Sequence, residues 1–202
     1  MLLGVTGGVG SGKSTVLKIL KEKYGAHLLI ADDIAKELMM PGNESYRLIV
    51  SGFGRGILED PSASDSPILR SELARIVFSD EEKLRMLNSF THPAVKREIM
   101  RRAEIIYSED PHALIVIEAA LLIESGYTDM LDWLWVVTAD KKVRLRRLAR
   151  ERGYTKEKAE SVMANQLSDE EFTACADFVI DNSGDIKDTE EIIAEGMSRL
   201  FK

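Results

Sequence analysis

The sequence predicts an α/β fold, a five-stranded parallel sheet with helices on both faces, and three observations carry that expectation. First, five short apolar stretches, at 2–6, 26–30, 114–117, 133–137 and 178–180, are mostly unbroken rather than alternating. Continuous apolar runs suit strands buried on both faces, as in a parallel sheet sandwiched by helices. Second, helical patterns stand between the runs, which is the alternation of a doubly wound sheet. Third, a glycine-rich loop joins the first run to the first helical pattern.

Strand one leads directly into Gly7-Gly8-Val9-Gly10-Ser11-Gly12-Lys13-Ser14, a complete G-x-x-x-x-G-K-S. The glycines let the backbone curl with its N–H groups inward, and side chains there would block a phosphate. The helix that starts at Ser14 adds unpaired N–H groups and the positive end of its dipole. The motif predicts ATP binding by Gly8, Val9, Gly10, Ser11, Gly12, Lys13, Ser14 and Thr15. Lys13 is expected to reach the β- and γ-phosphates, and the Ser14 hydroxyl to ligate Mg²⁺. An ordinary glycine turn before a helix is the competing reading, disfavoured because motif and context match together. Val16, Leu17, Leu20 and Tyr24 then share one face of the helix. The fold expected is that of a P-loop NTPase.

Strand two ends at Ala31-Asp32-Asp33. Ligands of doubly wound sheets sit outside the carboxyl ends of the strands. A carboxylate there can take the proton of an acceptor hydroxyl and orient it for in-line attack. One of the two aspartates could instead cap a helix.

The connection that follows is far longer than the dozen or so residues of a simple crossover. It predicts an inserted, mostly helical substrate lobe over 32–111. A Gly-rich stretch at 51–56 and a turn-rich one at 60–67 precede helical patterns at 70–78, 80–90 and 93–107. Thr91-His92-Pro93 reads as a helix start with proline in the first turn. Arg70, His92, Lys96 and Arg97 form one local set of basic and imidazole groups. Glu118 ends strand three, placed to support Mg²⁺ or the acceptor, or to cap a following helix.

Trp133 and Trp135 share a face of strand four and read as core. On the next helix Val143, Leu145 and Leu148 alternate with Arg144, Arg146, Arg147, Arg150 and Arg152. Arg144, Arg147 and Arg150 share a broad face, where arginines can close over phosphates. Residues 153–176, charged and introduced by Gly153, read as a mobile lid. The last helix spans 186–200. The core is thus 1–31, 112–152 and 177–202 of a single kinase domain.

Composition agrees. The 202 residues are 45% hydrophobic and 30% charged, ordinary for a globular protein. A formal charge of −7 argues against a nucleic-acid surface, which needs a basic stripe. No apolar run approaches the roughly 18 residues of a membrane span. The start runs straight into the glycine loop without a basic leader, so a soluble cytoplasmic protein is expected, as a monomer or small homo-oligomer. The single Cys175 cannot pair internally and reads as a small half-buried residue. The three histidines show no metal-ligand spacing.

Taken in order, these motifs resemble the dephospho-coenzyme A kinase family. The likeness runs from Gly4 through the loop to Val16, then Ala31-Asp32, Arg70-Ser71-Glu72-Leu73, Val77-Phe78, Leu87-Asn88 and His92-Pro93. It continues in Glu118-Ala119-Ala120-Leu121-Leu122-Ile123-Glu124, Arg147, Arg150, Gln166 and the run from Ala176 to Asn182. The resemblance implies ATP-dependent phosphorylation of the ribose 3′-hydroxyl of dephospho-coenzyme A, with Mg²⁺. It implies that Asp32 activates the hydroxyl, that Lys13 and Arg147 act on the phosphates, and that Asn182 lies near the adenine. Arg70, His92, Glu118 and Leu121 would hold the acceptor. Two departures stand out. Ile30 replaces the first acid of the family's Asp-x-Asp, with an extra Asp33 after Asp32, and Ala120 replaces a proline before the Leu-Leu pair.

Competing classes fare worse. A shikimate kinase would show a glycine triplet after strand three, where this chain has Ala119-Ala120-Leu121. A GTPase would need Asn-Lys-x-Asp, and no Asn here precedes Lys.

Overall fold

The computed structural model describes residues 1–119 and 121–201; the expectations placed on Ala120 and Lys202 lie outside the described residues. The chain divides into two compact units, Met1–Leu29 with Asp110–Lys202, and Ile30–Glu109.

Strands β1 (Leu2–Thr6), β2 (His27–Ile30), β3 (Ile115–Glu118), β4 (Trp133–Thr138) and β5 (Phe178–Asp181) fall within about a residue of their expected positions. They form one sheet in the order β2-β3-β1-β4-β5. β1 runs parallel to both neighbours, with Leu3 opposite Val116 on one side and Trp133 on the other. β5 is parallel to β4 at the edge. All five residues of β1 are buried. Successive side chains point to opposite faces, so both faces of the sheet are covered there. β5 instead alternates, Phe178 and Ile180 inward, Val179 and Asp181 outward, as an edge strand should. The chain leaves β1 toward β2, returns through β3, and crosses to β4. That reversal places the topological switch point beside β1, where the glycine loop begins.

Helix α1 (Lys13–Tyr24) buries Val16, Leu17, Ile19 and Leu20, and Gly25 closes it by donating its N–H to the Leu20 carbonyl.

In the second unit, α2 (Ala31–Leu38), α3 (Glu44–Phe53), α4 (Arg70–Phe78) and α5 (Glu81–Glu109) build a separate core from Tyr46, Ile49, Ile57, Leu58, Ile68, Leu73 and Val77. The turn-rich stretch is pinned by an antiparallel bridge between Leu58 and Ile68, and Tyr46 Oη donates to the Ser66 carbonyl at 2.7 Å. The expected break at 91–93 does not occur: Pro93 lies inside α5. An interior proline costs about 3 kcal/mol through a lost hydrogen bond and a clash. Here Thr91, Ala94, Val95, Ile99 and Ala103 are buried and α5 packs on α2, α3 and α4, which outweighs that cost.

The first unit resumes with β3, β4 and α6 (Lys141–Arg152), α7 (Lys156–Ala164), α8 (Asp169–Ala174) and α9 (Ile186–Leu200). Caps mark these helices sharply. Ser168 and Glu171 form a capping box on α8, and Asp185 and Asp188 form another on α9.

Four smaller expectations change. Ile30, not an aspartate, holds the N-cap position of α2, so Asp32 and Asp33 lie in its first turn. Turns rather than a helix follow Glu118 over 121–126, so the helix expected after it does not start there. Trp135 is fully buried but Trp133 only partly, being the first residue of its strand. Cys175 is exposed, since it closes α8 on the solvent side.

Candidate active site

The loop Gly7–Ser14 leaves the carboxyl end of the central strand and turns into α1. Gly12 takes the N-cap position with φ +91°, a left-handed conformation that strains any other residue. A side chain there would also meet the Asn182 amide nitrogen at 2.1 Å. No acidic residue stands in the first turn of α1, while Lys21 and Lys23 stand in the last. Both choices leave the N-terminus of the helix favourable to an anion. Lys13 Nζ donates to the Gly7 carbonyl at 2.8 Å, which lays the ammonium back over the loop. Ser14, in the first turn, is exposed, and Thr15 N–H donates to the Gly12 carbonyl.

Two side chains from other elements brace the loop from behind. Asn182, 4% exposed, donates through Nδ2 to the Ser11 carbonyl at 2.7 Å. Its Oδ1 accepts from Thr189 Oγ1 at 2.8 Å, which fixes the amide's orientation. Arg147 donates through Nη1 to the same Ser11 carbonyl at 3.0 Å and through Nη2 to the Asn182 carbonyl at 2.8 Å. The loop, the end of β5 and α6 thus meet at one knot. Arg147 also lines a cavity of about 320 Å³ with Val143, Arg146, Arg150, Ser183 and Gly184. Three guanidiniums around one opening make it suited to an anionic ligand.

The arginine face of α6 is not uniform. Arg150 is exposed and pairs with Glu151. Arg144 is 4% exposed and points under the loop, with Nε donating to the Val9 carbonyl at 2.9 Å and Nη1 to Asp169 at 2.8 Å. Its guanidinium fills the space above Gly8, where a Cβ would come within 2.2 Å of it. Arg144 therefore supports the loop instead of closing over phosphates, which its sequence neighbours did not suggest. One signal was present: Arg144 and Leu148 are four apart and share the buried stripe of α6. Gln166 was also missed as a loop contact; its Oε1 accepts from the Val9 N–H at 2.7 Å.

Glu118 ends β3 in register with Val5, and Leu121, in the turns beyond, is exposed. In the second unit Asp32 occupies the first turn of α2, and Arg70 opens α4 with its side chain exposed. His92 is half-buried on α5, and burial lowers its pKa below the usual 6.5, favouring the neutral imidazole. Among the described residues no cluster of His, Cys, Asp and Glu could by itself hold a metal ion. Nor is any described helix long and apolar enough to cross a membrane.

Comparison with known proteins agrees with this geometry. The family model described as dephospho-CoA kinase matches residues 1–188. A dephospho-CoA kinase of Geobacter sulfurreducens is 40% identical over 201 residues, covering 99% of this chain and 98% of that protein. A solved structure from Thermus thermophilus superposes with a TM-score of 0.81 at 28% identity, covering 99% of this chain and 97% of the other. The dephospho-CoA kinase of Campylobacter jejuni superposes with a TM-score of 0.71 at 26% identity, covering 98% and 96%. A glycine loop braced by Asn182 and Arg147, and a likeness that spans the chain end to end, place this protein in the dephospho-CoA kinase family.

Proposed function

We propose that this chain transfers the γ-phosphoryl group of ATP to the ribose 3′-hydroxyl of dephospho-coenzyme A, giving coenzyme A and ADP, the last step of coenzyme A synthesis. The observation that carries the phosphoryl-donor half is the loop Gly7–Ser14 opening α1 at the switch point of the sheet. Family membership supports the acceptor half.

The backbone from Gly8 through Thr15 cradles the β- and γ-phosphates, with Gly8, Val9, Gly10, Ser11 and Gly12 shaping the cradle. Lys13 neutralises charge as the bond to the leaving ADP oxygen lengthens. Asp32 accepts the proton of the 3′-hydroxyl while its oxygen forms the new bond to phosphorus. Arg147, held by the Ser11 and Asn182 carbonyls, offers its remaining N–H groups to the phosphates, and the adenine of ATP lies near Asn182. Arg70, His92, Glu118 and Leu121 hold the acceptor. The donor set fits Mg²⁺: an exposed Ser14 hydroxyl at the loop, with no all-protein cage among the described residues, matches an ion that takes most ligands from phosphates and water. A bound ion, held on the protein side by the Ser14 hydroxyl, would supply charge neutralisation at the phosphates. The protein works in the cytoplasm on these two small substrates, without nucleic acid or membrane, as a monomer or small homo-oligomer.

The test is ADP release from ATP and Mg²⁺ with dephospho-coenzyme A, adenosine, AMP, shikimate or no acceptor. Turnover with dephospho-coenzyme A alone upholds the proposal. Turnover only with another acceptor keeps a kinase and discards this substrate, and acceptor-independent hydrolysis discards both.

A further inference from the structure

Val9, in the middle of the glycine loop, is fastened by all three of its groups to the α6–α8 segment. Its side chain, 8% exposed, is part of a small core with Leu148 of α6 and Ala159 of α7, packed round by Leu145, Tyr154, Val162 and Met163. Its N–H donates to Gln166, in the turn between α7 and α8. Its carbonyl accepts from Arg144, which in turn pairs with Asp169 in the first turn of α8. A buried guanidinium needs such partners, because an unpaired charge out of water is strongly unfavourable.

The arrangement is selective. The donors best placed for a phosphate are the N–H groups that the glycine-rich turn and the start of the helix direct inward. Gln166 takes the N–H of Val9, which precedes Gly10, and leaves those later donors to the ligand. Fixing Val9 at both peptide groups holds the path of the chain just where Gly10, at φ +78°, must swing the following N–H groups inward. Among the described residues the acceptor placed at this N–H is the amide oxygen of Gln166. The surrounding side chains of the cluster are apolar, apart from the Tyr154 hydroxyl.

We infer that Gln166 and the Arg144–Asp169 pair are positioning residues for ATP binding: they preorganise the phosphate loop through Val9, and they make the loop's shape depend on the docking of α7 and α8. The segment read from sequence as a lid thereby takes part in nucleotide affinity without touching nucleotide. This deepens the kinase reading and rests on the loop being the ATP site.

The experiment compares Gln166→Met, which keeps length but loses the acceptor, with Gln166→Glu, which keeps an acceptor oxygen. Calorimetric titration of ATP-Mg²⁺ is read beside initial rates with dephospho-coenzyme A and the melting temperature. Loss of one hydrogen bond that orders the loop predicts a Kd for ATP weakened about five- to tenfold in Gln166→Met. KM for dephospho-coenzyme A stays within about twofold, and Gln166→Glu recovers most of the affinity. Hydrogen exchange of the Val9 amide rises in the Met variant and stays slow in the Glu variant. Asp169→Asn gives the same direction through Arg144. Unchanged ATP affinity in a folded Gln166→Met protein overturns the inference, as does a loss that Gln166→Glu fails to recover. If Gln166→Met melts too low to titrate, Asp169→Asn carries the same test. ATP affinity is read without an acceptor, so failure of the wild-type protein to use dephospho-coenzyme A would sink the substrate assignment and leave this result standing.

Discussion

Asp32 sits in the first turn of α2, where the helix dipole favours a carboxylate and the side chain is exposed. If it takes the acceptor's proton, Asp32→Asn removes the base while keeping shape. We expect kcat to fall roughly 10²-fold or more while the Kd for ATP is unchanged, measured by coupled ADP release and by titration. Near-normal turnover would move the role to Asp33. Gly12→Ala tests the opposite kind of residue, one whose whole contribution is a missing side chain. The methyl meets Asn182 at 2.1 Å with φ at +91°, and Asn182 cannot step aside without releasing Ser11 and Thr189. A stability loss of about 1–3 kcal/mol in urea titration and an ATP Kd raised at least about tenfold are expected. The loop residues were legible from sequence because they are contiguous and their chemistry is local. Arg144, Gln166 and the bracing role of Asn182 were not, because each acts on a partner more than 130 positions away.

At the scale of elements, α2 is tied to α5 by Arg102, which pairs with both Glu37 and Glu98. Hydrogen bonds from Arg101 first, and then Arg102, hold Glu98 down from the ordinary 4.5 to about 2. A carboxyl whose pKa is depressed on folding adds stability above its unfolded pKa and loses it as pH falls through the folded one. Thermal melts should therefore show stability falling between pH 4.5 and about 2, and Glu98→Gln should flatten that limb. His92, pushed below 6.5 by burial, acts earlier: its contribution fades as pH drops below that value, so His92→Gln removes a separate, milder slope. α5 is also where reading by pattern failed. Proline is a strong local stop signal, and only packing of the buried face on three other helices, invisible in a linear window, carries the helix through Pro93. By contrast α4 and α9 came out at the expected bounds, and α9 opens on a local signal, the Asp185 capping box.

For the whole molecule, the alternation of apolar runs and helices sufficed to anticipate five parallel strands, and the motifs taken in order from the glycine loop to Asn182 anticipated the family. The strand order was out of reach of pattern alone, because it depends on which crossovers pass over which face. That order has a bearing on how the protein comes to exist. The Ser11 carbonyl of the glycine loop is held by Asn182, 171 positions later. A contact so distant in sequence must await closure of the long segment between its partners. During synthesis the phosphate loop therefore emerges long before the residue that holds it in shape. In pulse-labelled refolding, amides 9–12 should gain protection together with those of 178–182, and later than those of 17–24 in α1. A nascent chain would thus carry the motif through 171 further positions of synthesis without the ability to capture nucleotide, a timing set by where the asparagine falls in the reading frame.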